Sequence, residues 1–263
     1  MPPCESHRVT DAGTPGSRMK GLYRVGGAAA LVSAAMTVAG IVTYLAWPPP
    51  EDGSVTTWFT LFQQNWLVGM LDLDLTMLVS YVALIPVLLA LYVALRRASE
   101  SLAVLALVFG LVSIATYFAS SRVFEMLALS GQYAAATTDA ERAIVAAAGQ
   151  SMLTTYLGAY AAPAVAPGWN YQGTAFNVSF VLWTVAGIMI SAAMLRSGAL
   201  GKAAGYLGIA GNAGALGLFI PAIGVLLSLL SLPLLLAWLI MIALGLFRLA
   251  HSTGEAADLA GAV

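Results

Sequence analysis

Long apolar runs separated by short polar stretches dominate the chain, and they predict its elements more clearly than any motif does. Runs at Val25 to Trp47, Leu75 to Leu95, Leu102 to about Phe124, Phe176 to Leu195, Ala203 to Ile220 and Ala222 to Leu249 are each close to the roughly 20 residues that a helix needs to cross about 30 Å of hydrocarbon. The pattern predicts an all-α polytopic membrane protein: a bundle of six transmembrane helices plus an outer amphipathic helix. Residues 21–250 form that single domain, between a disordered polar tail over 1–20 and a second tail over 251–263. The first run exceeds the apolar core of about 7 to 15 residues typical of a signal peptide, so it is read as a retained span. Met19 and Lys20 offer an alternative start that would leave the first eighteen residues dispensable.

The amphipathic helix falls at about 139–160, where "TTDAER" provides a capping box from Thr138 and Glu141. Ile144, Ala148, Met152, Tyr156 and Tyr160 then share one predicted face. No charged residue occurs between Arg142 and Arg196, so a seventh span is the rival reading. Against it stand Gln150, Ser151, Thr154 and Thr155, which are costly against lipid. The first long loop, "PPPEDGSVTTWFTLFQQNW", carries Trp58, Phe59, Phe62 and Trp66, read as an interfacial aromatic anchor.

Charge supplies an orientation. Six crossings put Arg8, Arg18, Lys20, Arg24, Arg96, Arg97, Arg196, Lys202 and Arg248 on one side, leaving only Arg122 and Arg142 of the eleven basic residues on the other. The positive-inside bias makes the first side cytoplasmic, so both termini face the cytosol of a multi-pass cell-membrane protein. Composition agrees: 60% of residues are hydrophobic and 9% charged, with a mean hydropathy of +0.88. The net charge of -1 and the lack of a basic, aromatic-studded stripe exclude nucleic acid as a partner. One cysteine, Cys4, excludes an intrachain disulfide and a cysteine metal cluster.

Two aspartates interrupt this apolar pattern. Asp74 lies roughly 33 Å and Asp72 roughly 36 Å from Arg96 along a straight helix, which takes both to the outer rim of the second span. That rim is the helix N-terminus, where carboxylates are favoured by free N–H groups and the helix dipole. Two residues apart, they point about 200° away from one another, so only one can look into the bundle. On the third span Arg122 and Glu125 reach a similar depth, as does Asn177 on the fourth. A pair between a second-span aspartate and Arg122 would satisfy both charges.

The resulting ring of Asp72, Asp74, Arg122, Glu125 and Asn177 has two readings, a water-satisfied rim network or an outward vestibule for a polar or cationic ligand. Asn212, roughly 15 Å from Lys202 and therefore mid-bilayer, is read as an interhelical hydrogen-bonding group with a ligand contact as the alternative. The glycines of "GYLGIAGNAGALG" mark close helix packing, not a nucleotide loop. Pro86 predicts a kink, Pro221 a turn and Pro233 a bend.

The only histidines, His7 and His251, lie in the tails, so a histidine base or metal site at membrane depth is unavailable. No catalytic residue, metal site or cofactor is assigned. Three functions compete: binding or transport of a small polar or cationic solute; a non-catalytic scaffold or accessory subunit with a membrane-protein partner; and, weakest, a lipid-headgroup enzyme using Asp and Glu carboxylates. In all three the lipid bilayer is the constant partner.

The order of "GLYRVGG", "LLALYVALRR", "SLAVLALVFG", "GALGKAAGYLGIAG" and "LLAWLIMIALGLFR" resembles a bacterial six-span family known as domain of unknown function 4386. The likeness covers most of residues 21–249 and implies a fold and a membrane location without an activity. The family pattern places an arginine and an acid three residues apart early in the third span, where this chain has Gly110 and Ser113. No family role therefore passes to Arg122 and Glu125.

Overall fold

The computed structural model describes residues 15–50, 53–157 and 172–261. Ten α-helices follow one another: α1 (Pro15–Ala46), α2 (Val55–Gln64), α3 (Trp66–Met70), α4 (Thr76–Leu95), α5 (Glu100–Ser120), α6 (Val123–Ala135), α7 (Asp139–Leu157), α8 (Thr174–Ser197), α9 (Lys202–Leu216) and α10 (Gly224–Gly261). A π-helical turn, Leu71–Leu75, fuses α3 to α4, so the second rod is continuous from Trp66 to Leu95.

Five stretches are long and apolar enough to cross a bilayer: Met19–Ala46, Trp66–Leu95, Glu100–Ala135, Thr174–Ser197 and Gly224–Ser252. The helix of the expected fifth span, α9, has 15 residues, about 22 Å, and a short 3-10 turn over Gly217–Phe219 extends it. The turn at Pro221 comes next, with Ala222 at φ 68°. Helix α7 is not among the apolar five.

Helices α1, α4, α5, α8, α9 and α10 each pack on the next, and α10 packs back on α1, closing a ring. Because successive members run in opposite senses, the α4–α5 and α8–α9 connections share one end with the start of α1 and the last turns of α10. Arg196 donates to Ser99 there at 3.4 Å. Lys20, Arg24, Arg96, Arg97, Arg196, Lys202 and Arg248 all belong to this basic end. Small residues draw the ring together: a side chain at Gly208 would collide with Ser191 and Trp238, and one at Gly211 would meet Leu235 at 3.0 Å. Such close backbone approach replaces the hydrophobic driving force that lipid cannot supply.

The opposite end carries a second core. Helices α2, α3, α6 and α7 form a cap in which Val55, Trp58, Phe59, Phe62, Val123, Met126 and Leu153 are buried together with Met70 and Leu73 from the head of the second rod. The expected anchor is thus corrected. Trp58, Phe59 and Phe62 are 3%, 0% and 3% exposed, and only Trp66 remains at the surface. The aromatics recur at helical spacing, and α6 and α7 offer them a protein surface in place of headgroups.

Helix α7 begins with the expected capping box: Glu141 N–H donates to Thr138 Oγ1 at 3.2 Å, and Thr138 N–H to Glu141 Oε2 at 3.1 Å. Its buried face differs from the expected one, since Gly149, Leu153 and Tyr156 are covered whereas Ile144 is 70% exposed. Tyr160 lies outside the described residues. Gln150 explains the polar content of this segment, accepting from Val55 N–H and donating to Gly53 O, both at 3.0 Å. A free N–H at the start of α2 is satisfied in this way.

Three boundaries differ from expectation. Helix α1 starts at Pro15, inside the stretch expected as a disordered tail, and α10 runs on to Gly261 through most of the expected second tail. The third rod breaks at Ser121 and Arg122, where α5 stops and α6 departs to join α2 and α7. At 21 residues α5 alone measures about 31 Å, enough to cross hydrocarbon by itself.

Candidate functional site

The seam between bundle and cap holds one buried acid. Asp74 sits in the π-helical turn and is 3% exposed. Its Oδ1 accepts a hydrogen bond from the Tyr117 hydroxyl of α5, and the Tyr156 hydroxyl of α7 stands 3.5 Å from that of Tyr117. The other Asp74 oxygen, Oδ2, is buried without a hydrogen-bonding partner among the described residues. Burial, then the nearby Asp74 charge, pushes the Tyr156 hydroxyl well above its ordinary pKa, so it remains a protonated donor.

Aromatic rings wall this acid on the bundle side. Tyr81 stacks on Tyr117 with centroids 4.2 Å apart and planes 2° from parallel. Phe176 of α8 lies 5.9 Å from Tyr117 and 6.4 Å from Tyr156, and Trp183 closes on Tyr81 at 5.8 Å. A cleft of about 480 Å³ is lined by Ser120, Arg122, Thr154, Thr155, Gln172 and Gly173 among others, chain neighbours of Tyr117, Tyr156 and Phe176 but not these residues or Asp74 themselves. Gly173 caps α8 against the end of α7, donating its N–H to Tyr156 O at 2.9 Å. Any side chain there would collide with Thr155 O.

The expected rim residues are brought only partly together. Helix α3 starts the rod upstream of Gly69, and the two aspartates do diverge: Asp74 is buried, whereas Asp72 is part-exposed. Both Asp72 carboxylate oxygens are nonetheless covered and have no hydrogen-bonding partner among the described residues. The anticipated aspartate–arginine pair does not form. Arg122 instead meets Glu125, one turn along its own helix, at 3.5 Å, because the chain breaks at Ser121 and turns the guanidinium toward the start of α6. An exposed pair of this type contributes little stability.

Asn177 donates to Gln172 O at 2.7 Å near the cleft and does not reach Asp74. Asn212 is fully buried among α8, α9 and α10, away from the rim, and donates to Gly208 O at 2.7 Å. That bond lies within α9, so the expected cross-helix bond from its amide is not seen. Its Oδ1, like Ser191 Oγ and Trp238 Nε1, is buried without a hydrogen-bonding partner among the described residues. Cross-helix bonds arise elsewhere: Ser33 with Ser80 at 2.6 Å, and Ser113 with Ser179 at 3.1 Å.

Tyr117, Tyr156 and Tyr81 are the site residues that the sequence pattern conceals, since a tyrosine in an apolar run scores as one more lipid-compatible ring. The available signal was depth. Tyr117 is 17 residues, about 26 Å, along α5 from Glu100, within a turn or so of the level of Asp74. Among the described residues no group of three or more His, Cys, Asp or Glu is placed to hold a metal ion.

An all-helical ring with five helices fit to cross a bilayer, sealed at one end by an aromatic cap over a buried carboxylate, defines a membrane protein. More narrowly, the chain belongs to the domain of unknown function family DUF4386, whose model matches residues 34–249. No curated protein and no solved structure matches it significantly.

Proposed function

We propose that the protein binds, and in binding helps to move, a small polar or cationic solute at the Asp74 site, with the cap facing outward and the basic end in the cytosol. The observation that carries this reading is the buried carboxylate with one oxygen held by tyrosine and the other without a partner among the described residues, while the chain neighbours of its tyrosines, Ser120 and Thr155, line a polar cleft. An ionisable group retained at membrane depth is costly unless it serves a ligand or a partner. The Tyr81, Tyr117 and Phe176 rings add faces that attract a cation. Cytosolic placement of the basic end follows from the skew of lysine and arginine.

The test uses purified protein in liposomes and a panel of quaternary and primary ammonium solutes, with uptake and ligand-induced thermal shift as readouts. Asp74→Asn retains an acceptor for Tyr117 while removing the charge, and is expected to abolish binding with folding preserved. A panel without a single wild-type binder, or equal binding by Asp74→Asn, would overturn the proposal.

A scaffold or accessory-subunit role is favoured by one different observation: Tyr117 already engages Asp74 and is itself met by Tyr156, which joins the π-helical turn, α5 and α7 as architecture requires. On that reading Asp74→Asn changes stability modestly and co-purification of a membrane partner not at all.

A further inference from the structure

At the basic end, α1, α4 and α10 part to leave a cleft of about 170 Å³, lined by Met19, Tyr23, Arg96, Arg97, Leu249 and Ser252 among others. Tyr23 is 7% exposed, and its hydroxyl lies within electrostatic reach of both guanidinium groups. Arg96 rests against the Tyr92 ring at 5.9 Å, which directs the charge along the helix end. Among the described residues neither Arg96 nor Arg97 has a carboxylate partner, and the described ion pairs lie in α6 and α7 at the far end. Among the described residues no acid lines the cleft. Two guanidinium groups without a carboxylate partner among the described residues, a buried hydroxyl and an apolar floor from Met19 and Leu249 come together in one pocket at the basic end.

We propose that this cleft binds a phosphate-bearing anion, with Arg96 and Arg97 as the charged clamp and Tyr23 as a further hydrogen-bonding group. Guanidinium forks match phosphate oxygens in geometry and charge. Basic pockets between helices at a membrane face are a recurring means of holding anionic headgroups. The site is separate from the Asp74 group, at the opposite end of the ring, and stands or falls independently of it.

The test follows the thermal unfolding of full-length protein in neutral detergent while titrating short-chain phosphatidylglycerol, short-chain phosphatidylcholine or inorganic phosphate. Phosphatidylglycerol is expected to raise the midpoint at a concentration at least about tenfold below that of phosphatidylcholine, and R96Q/R97Q to weaken the effect about 30-fold, as two basic residues near an anionic surface would. Inorganic phosphate acting as strongly as the lipid would assign the site to a soluble phosphate; a lipid effect alone would assign it to the headgroup.

R196Q, at the same end but outside the cleft, is expected to bind as wild type. Equal binding by the double variant and wild type, or equal loss in R196Q, would overturn the proposal. Should R96Q/R97Q fail to fold, Tyr23→Phe decides: weaker phosphatidylglycerol binding supports the site and unchanged binding rejects it.

Discussion

The bundle and its cap are built from the same apolar alphabet and hold together by different means. In the bundle, α9 meets α8 and α10 through Gly205, Gly208 and Gly211, and polar side chains such as Ser113 and Ser179 bond across the gaps. In the cap, Phe59 is wholly buried against Tyr133 at 5.2 Å, with Trp58, Phe62, Met126 and Leu153 around it. Lipid tails compete with apolar side chains inside a bilayer, so close backbone contact decides there. In the cap, burial of large rings supplies the contact area instead. The glycine contacts of α9 and the Phe59-centred cluster are thus two different ways of holding helices together.

This contrast can be broken at four points of decreasing effect. Phe59→Ala removes the centre of the cap and should cost it about 3–5 kcal/mol. Hydrogen exchange is expected to rise across 55–64, 123–135 and 139–157 while α5 and α8 stay protected; uniform loss would show that cap and bundle unfold as one. Tyr117→Phe leaves a buried carboxylate without its main donor, with an expected loss of about 1.5–3 kcal/mol. A double-mutant cycle with Asp74→Ala, which removes the acceptor, should recover most of it as coupling energy, and additive losses would mean that the two side chains do not interact.

Gly208→Ala forces a methyl group into Ser191 and Trp238, and overpacking of this kind costs about 1–3 kcal/mol. Ser191→Ala should partly rescue it in thermal unfolding, because the colliding hydroxyl is removed; an unrescued double variant would place the strain elsewhere. The smallest effect is at the lip of the cap. N–H groups of Thr137 and then Thr138 hold the Glu141 carboxyl below its ordinary range. Its contribution is therefore present above the ordinary glutamate pKa and disappears as pH falls through the lowered folded value. Exchange at the first turn of α7 should rise on acidification in wild type and stay flat in Glu141→Gln.

The sequence made the rods legible and their partners much less so. Apolar run length located α1, α4, α5, α8 and α10 because crossing hydrocarbon imposes a length, and a capping box located α7 because its chemistry is local. Asn65 offers a similar local signal: its side chain accepts from Val68 N–H at 3.2 Å and opens the second rod nine residues before the apolar run at Leu75. The Asp74–Tyr117 bond joins residues 43 positions apart, and no periodicity carries that information. Arg122 had three acids within conceivable reach, Asp72, Asp74 and Glu125, and the break at Ser121, invisible in an apolar run, decided for the nearest in sequence. Trp58, Phe59 and Phe62 were ambiguous for a related reason, since an interfacial helix and a buried one show the same spacing.

The π-helical turn at Leu71–Leu75 has a mechanical corollary. Such a turn is a helix with one residue too many, so deleting a single position there would restore regular winding and swing everything upstream, Trp66 to Met70, through about 100°. The lid would then be screwed onto its barrel at the wrong thread, with Met70 carried out of the aromatic nest. That surplus residue sets the angle at which the two halves of the molecule engage.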